Sequence, residues 1–465
     1  AVALSGDGTV ALVGAENKTS FQGAALVYVR EGDAWRLQAE LTAPTPATAD
    51  YFGAAVALTR DGTLAFVASR SFIAPAVHVF ERSGDAWALR TSITPTAVEA
   101  TDQFGNALAV STDGSVVLVG AFLSSAAVSN GGAAYVFTRT GDAWAETATL
   151  TASDAAQLAQ FGTAVALSGD GTYALVGNGF SDRGGAAYVF ARSGDAWTEQ
   201  AILNEDDDGD SIPQFGAAVA LDGDGDTALV GAFRDNGLPG SGDGGALYVF
   251  ARSGATWARQ ARLVASDAEA GAQLGIATAL ASDGRTALVG ANQDDDFRGS
   301  AYVFGLDGAA WTEQAKLSPS DGVANDVFGS AVALSSDGAT ALVGMPQANS
   351  DGAGAAYVYT GFAVAAEETP AEGPLAQRAA LGAAYPNPVP AGGLVRAPLV
   401  VAEAQPVQVV LYDVLGRAVR AMDLGVVAPQ QATDVAVPTG GLAPGLYVLR
   451  AEGPSITASR RVVVR

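Results

Sequence analysis

Three observations predict an all-β chain. A tryptophan recurs at Trp35, Trp87, Trp144, Trp197, Trp257 and Trp311, at spacings of 52, 57, 53, 60 and 54 residues. Within each copy, four short runs alternate in polarity or are continuously small and apolar, each bounded by Gly, Asp or Ser, which is a strand pattern. An Asp-Gly pair follows the first run in all seven copies, at Asp7, Asp61, Asp113, Asp170, Asp224, Asp283 and Asp337, and supplies the positive φ that a tight hairpin needs. The unit is a four-stranded meander. Such units at this period, with no helical pattern between them, predict a β-propeller, because a closed ring hides the edges a linear stack exposes. Seven copies predict seven four-stranded blades over residues 1–361.

In chain order, the first strand of each unit lies near Val2, Val56, Leu108, Val165, Val219, Thr278 and Val332, and the third ends at Tyr28, Phe80, Phe137, Phe190, Phe250, Phe304 and Tyr359. A Gly-Asp-Ala-Trp turn joins strands three and four. The seventh unit has no tryptophan strand, and its partner is expected from chain preceding Ala1, which falls inside a repeat. Residues 362–382, rich in Ala, Glu and Pro, read as a linker. Residues 383–465 carry short strands at regular turns and predict a small Ig-like antiparallel sandwich.

Composition narrows the function. The net charge is -24, and residues 382–465 hold five acids against seven arginines, leaving 44 acids and 18 basic residues before them. That field repels nucleic acid and anionic lipid and favours cations, basic partners or high salt. No run approaches the length of a membrane-spanning helix. With one histidine and no cysteine, thiolate sites and histidine-based triads are excluded, and no enzymatic activity is expected.

Phe-Gly at the start of each unit and Val-Gly-Ala after its second strand, as in FGAAVALDGDGDTALVGA from Phe215, resemble FG-GAP repeats, the units of the integrin alpha-subunit propeller and of bacterial surface proteins. The resemblance implies a partner-binding propeller. The long Asp-rich calcium loop of several integrin repeats is replaced here by a short Asp-Gly turn. Pro386-Asn387-Pro388, the run Leu411-Tyr412-Asp413-Val414-Leu415-Gly416-Arg417, Gly445 with Tyr447, and the terminal Arg460-Arg461 resemble the C-terminal sorting domain of the type IX secretion system. That resemblance implies export to the medium or outer surface of a Gram-negative cell, with the secretion machinery as a partner.

By up-and-down alternation, the hairpins joining strands one to two and three to four share one face, and the variable loops share the other. A binding site is expected on the variable face. Its acids are Glu205, Asp206, Asp207, Asp208, Asp210, Asp235, Asp243, Asp294, Asp295 and Asp296, read either as a patch for calcium or a basic partner or as a solvated acidic surface. Asp222, Asp224 and Asp226 have the alternation of a calcium loop, but in a turn of the same length as its counterparts. No cofactor is required, and calcium is a candidate ligand. A protein or a glycan could occupy the face, and for a glycan the candidate aromatics are Phe122, Phe180, Phe233 and Phe297. An accessory role beside a hydrolase encoded upstream of Ala1 is a further alternative. His78 takes the position of Tyr135, Tyr188, Tyr248, Tyr302 and Tyr357 and reads as structural. The tryptophans, always beside a tight turn, read as packing between blades.

Overall fold

A computed structural model describes the chain except residues 33, 97, 180–183, 205–213, 237–241, 348–353, 363–379, 382–388, 390–391, 402–403, 414–416, 429–432, 444, 455 and 465. The chain divides into two units, Ala1–Val364 and Ala365–Arg465. Among the described residues there are nine sheets, seven with four strands and two with three.

The first unit holds seven of them. Sheet 1 is a meander of Val2–Leu4, Val10–Ala15, Ala24–Glu31 and Ala34–Leu41. Sheets 2 to 6 repeat it, led by Phe52–Leu58, Phe104–Val110, Ala164–Leu167, Phe215–Leu221 and Leu274–Leu280. Sheet 7 consists of Ala331–Leu334, Thr340–Met345 and Ala355–Thr360. All pairings are antiparallel between strands consecutive in sequence, so every unit is a local structure closed by its own turns.

The recurring glycines set how closely sheets approach. A Cβ on Gly14, from Val-Gly-Ala of sheet 1, would lie 2.1 Å from the carbonyl oxygen of Gly53, from Phe-Gly of sheet 2. Gly120 meets Gly162 at the same distance. Backbone therefore packs directly on backbone, and the phenylalanines before the second glycine (Phe52, Phe104, Phe161, Phe215 and Phe328) are buried to 1% exposure or less. Sheet 2 carries Ala68 at this contact, where its methyl lies 3.1 Å from the Cβ position of Gly105. Farther out, Trp87 Nε1 donates to Gln38 of the preceding sheet at 2.9 Å, and Trp144 meets Phe66 edge-on, so the tryptophans pack between sheets as their spacing predicts.

At the opposite ends of the first strands, the hairpins join through backbone hydrogen bonds that run from sheet to sheet. The amide of Gly6 donates to Arg60, Arg60 to Thr112, Thr112 to Gly169, Gly169 to Gly223, Gly223 to Ser282, Ser282 to Ser336, and Ser336 back to Gly6, at 2.7–3.3 Å. This girdle surrounds a cavity of about 160 Å³, to which each first strand contributes one aliphatic side chain, from Leu4 to Leu334.

In the second unit, Leu394–Val400 pairs with Ala380–Leu381 and Thr433–Pro438, while Gln405–Asp413 lies between Ala418–Val427 and Gly445–Gly453, with Ile456–Val464 outermost. Alternate residues of both sheets, among them Val395, Ala397, Leu399, Val407, Val409 and Leu411, enter one apolar core. Of the expected sorting residues, Leu411 and Tyr447 lie in that core and Arg417 is exposed. Tyr412, Asp413, Gly445, Arg460 and Arg461 are on strands, and Pro386, Asn387, Pro388 and Gly416 fall outside the described residues.

Candidate functional site

The two faces of the first unit differ in chemistry. On the girdle face, each hairpin spends its carboxylate on itself. Ser5 Oγ donates to Asp7 at 2.6 Å, the amide of Thr9 donates to the same carboxylate at 3.0 Å, and the amide of Val10 donates to Ser5 Oγ at 2.9 Å. The pattern recurs at Ser111 with Asp113, Ser168 with Asp170 and Ser335 with Asp337. Burial works against the charge of these aspartates, but the hydrogen bonds outweigh it and hold Asp7, Asp113, Asp170 and Asp337 below the usual carboxylate range.

Asp222 occupies the serine position of this hairpin. Its carboxylate accepts the amide of Asp226 at 2.8 Å, and burial pushes its pKa up. Asp226 is paired with Arg252, and Asp224 is exposed. The turn keeps the positive φ of its counterparts at Gly225. Among the described residues, no three His, Cys, Asp or Glu side chains are grouped so as to hold a metal ion.

On the variable face, the third-strand tyrosines anchor polar clusters that range from buried to exposed. Tyr188 OH donates to Asp154 at 2.8 Å, Tyr357 OH to Asp321 at 2.6 Å, and Tyr302 OH to Asp267 at 2.8 Å and Asp294 at 3.1 Å. Lys316 Nζ bridges Asp267 and Asp294, each at 2.7 Å. In sheet 5, Tyr248 OH donates to Asp235 at 2.5 Å, and Arg262 pairs with the same carboxylate. Burial, then the neighbouring carboxylates, push Tyr302 and Tyr188 well above the ordinary phenol range. His78 has the tyrosine position in sheet 2, where its ring nitrogens meet Ser92 at 2.8 Å and Ser69 at 3.2 Å, and burial lowers its pKa to about 4.

The expected acidic loop residues therefore separate. Asp235 and Asp294 are each 2% exposed and paired with cations inside the fold. Asp243, Asp295 and Asp296 are exposed, with Asp295 paired to Arg298. Glu205, Asp206, Asp207, Asp208 and Asp210 lie outside the described residues, as does Phe180. Asp154, Asp267 and Asp321 were missed; their signal is a Ser-Asp pair soon after the fourth strand, at Ser153, Ser266 and Ser320.

Of the other candidate aromatics, Phe233 is buried at 5% exposure, Phe122 is half-buried and Phe297 is exposed. Phe233 corrects a sequence expectation, since its apolar ring packs down from the loop. The largest aromatic group on this face lies elsewhere. Phe21, from the turn Lys18–Phe21 of sheet 1, lies 5.7 Å from the Tyr51 ring, which lies 6.2 Å from Phe72 of sheet 2. Phe21 and Phe72 are 47% and 49% exposed. The guanidinium of Arg70 stands over Tyr51 at 5.5 Å and pairs with Glu16 at 3.2 Å.

The model of the FG-GAP repeat matches residues 87–137, 144–190, 197–250, 257–304 and 311–359, more than half of the chain. The chain belongs to the FG-GAP repeat family. Each matched stretch begins at a tryptophan and ends within a third strand, so the FG-GAP motif takes in the fourth strand of one sheet and the first three of the next, and the glycine contacts join successive stretches. Among solved structures, hydrazine synthase of Kuenenia stuttgartiensis is similar at 14% identity and a TM-score of 0.52, covering 78% of this chain and 95% of its own. A candidate 6-phosphogluconolactonase from Bacteroides uniformis is similar at 12% identity and a TM-score of 0.51, covering 92% and 99%. A protein from Lactobacillus plantarum is similar at 14% identity and a TM-score of 0.50, with the same coverage. These likenesses concern the fold, that of an FG-GAP β-propeller. No curated protein matches the sequence.

Proposed function

We propose that this chain is a seven-bladed, integrin-like FG-GAP propeller, secreted or held at the outer surface of a Gram-negative cell, that binds a partner through its variable loop face. In this reading it performs no covalent chemistry. The observation that carries it is the asymmetry of the faces. The girdle face is built from near-identical hairpins whose serines and aspartates satisfy one another, whereas loop variation and exposed aromatic rings gather on the other. The hydrogen bonds that return to Gly6 after seven sheets support the blade number. The second unit is read as an Ig-like sorting domain for the type IX machinery, supported by Leu411 and Tyr447 in its core and by Arg460 on its last strand.

The test has two arms. In a bacterium with a type IX system, the full chain should reach the surface or medium, and a variant lacking residues 365–465 should remain in the periplasm. Equal export of both ends the sorting reading. In binding assays, substitutions on the variable face should abolish partner capture, while Asp224→Asn and Asp283→Asn on the girdle face should leave it intact. The opposite pattern ends the loop-face reading.

A further inference from the structure

The cluster of Phe21, Tyr51 and Phe72 is set apart by its sequence and its surroundings, on a turn backbone that it shares with Asp295, Asp296 and Phe297 of sheet 6. At the position before Phe-Gly or Leu-Gly, sheets 3 to 6 have Gln103, Gln160, Gln214 and Gln273, and sheet 7 has Val327; sheet 2 alone has an aromatic residue, Tyr51. All six adopt positive φ, from 49° to 61°, so the position is a fixed element of the fold that here carries a ring. The turn bearing Phe21 is left-handed at three consecutive non-glycine residues, Thr19, Ser20 and Phe21, with φ of 52°, 57° and 64°. Left-handed backbone costs about 1–2 kcal/mol per such residue, and it persists here in a segment that holds a phenylalanine in solvent. The amide of Tyr51 donates to the carbonyl of Phe21 at 3.0 Å, which ties the two turns together.

The electrostatics of the patch depart from those of the molecule. In a repeat region with 41 acids and 17 basic residues, the exposed charges beside these rings are paired. Glu16 pairs with Arg70 and Lys18 with Glu40 at 2.7 Å, all four partly exposed. Asp50 is turned inward, accepting from Ser71 at 3.0 Å and from the amide of Ala47 at 2.6 Å. A rigid aromatic surface framed by neutralised donor–acceptor pairs suits an uncharged ligand with an apolar face and a hydroxyl edge. Ring faces meet the first, and the carboxylate, guanidinium and ammonium groups supply acceptors and donors for the second.

We infer that Phe21, Tyr51 and Phe72, with Glu16, Arg70 and Lys18 at the rim, form a binding platform for a neutral saccharide. The inference rests on the reading of the variable face as the binding face. A cationic segment is less well matched, since Arg70 already occupies the Tyr51 ring. The contiguous rings are also few for a protein interface, which needs on the order of 800 Å² per partner.

The full chain is titrated calorimetrically with cellohexaose, laminarihexaose, xylohexaose, mannohexaose and chitohexaose. Saturable binding of at least one is expected, weakened tenfold or more by Phe72→Ala and by Tyr51→Gln, and unchanged by Asp283→Asn on the girdle face. Tyr51→Gln installs the residue of four other sheets, and both variants should unfold thermally with the parent. Binding of none of the five sugars overturns the inference, as does binding that survives both substitutions. A third arm separates it from the broader reading. If an arginine-rich peptide or a protein ligand binds and is displaced by the same substitutions while the sugars fail, the saccharide is wrong and the loop face stands.

Discussion

His78 gives the clearest pH dependence of any single residue. Its folded pKa, lowered to about 4, lies below the unfolded value of 6.5, so the folded state holds the neutral ring while the unfolded chain takes up a proton first. Its contribution is complete above pH 6.5 and lost as pH falls toward 4, by about 3 kcal/mol at most. Urea unfolding at pH 7 and pH 5 should show this loss in the parent and not in His78→Tyr, which carries the residue of its counterparts; an equal loss in both would exclude His78 as the source. Two further substitutions test close contacts. Gly120→Ala drives a methyl to 2.1 Å from the Gly162 carbonyl and should lower stability by roughly 1–3 kcal/mol. Ala281→Ser supplies the hydroxyl that Ser5, Ser111, Ser168 and Ser335 use, and should raise it by about 1 kcal/mol. The structural role of His78 was legible because five tyrosines share its register. The exposure of Phe21 and Phe72 was not, because nothing in residue type separates a ring lying on a loop from one packed beneath it, as Phe233 is.

At the scale of strands and loops, the sequence was most legible where a local rule acts. Asp-Gly hairpins, antiparallel meanders and tryptophan packing follow from turn chemistry and alternation within a few residues. The polar clusters were hidden because each joins a third strand, a fourth strand and a loop from separate parts of the sequence. In register, Tyr302 faces Lys316 across the third and fourth strands, and Tyr188 faces Ile202. Sheet 4 thus keeps one carboxylate, Asp154, but lacks the cation and the second acid of sheet 6, with Asn178 donating to its tyrosine at 3.3 Å where sheet 6 has Asp294. Lys316→Ile alone leaves Asp294 buried beside Asp267 and should cost about 2 kcal/mol, less than a fully enclosed pair because Lys316 is partly exposed. Adding Asp294→Asn should restore most of that. A double-mutant cycle with no coupling would show that the two act independently.

For the molecule as a whole, the acidity raises the question of calcium. The girdle-face carboxylates already accept hydrogen bonds from their own hairpins, and Asp226 is held by Arg252. Calcium should therefore raise the melting temperature of the full chain no more than magnesium at equal ionic strength. A saturable, calcium-specific rise would place an ion on the acidic loops and redirect mutagenesis there. The all-β class of the sequence analysis agrees with the antiparallel sheets of the first unit. What the repeats could not disclose was how neighbours meet, since that depends on residues matched across a seam and not within a unit.

The girdle bears on how such a protein can change over generations. Neighbouring sheets meet through the same hydrogen bond and most through the same glycine contact, so the backbone part of these junctions is common to the units. Adding a unit is another matter. The hydrogen bonds of the girdle run from Gly6 through Ser336 and back to Gly6, and an inserted unit would have to break one of them and reopen the others to a new spacing. Recombination among these units is thus free to shuffle their loops, while the closed girdle resists the insertion of a further one.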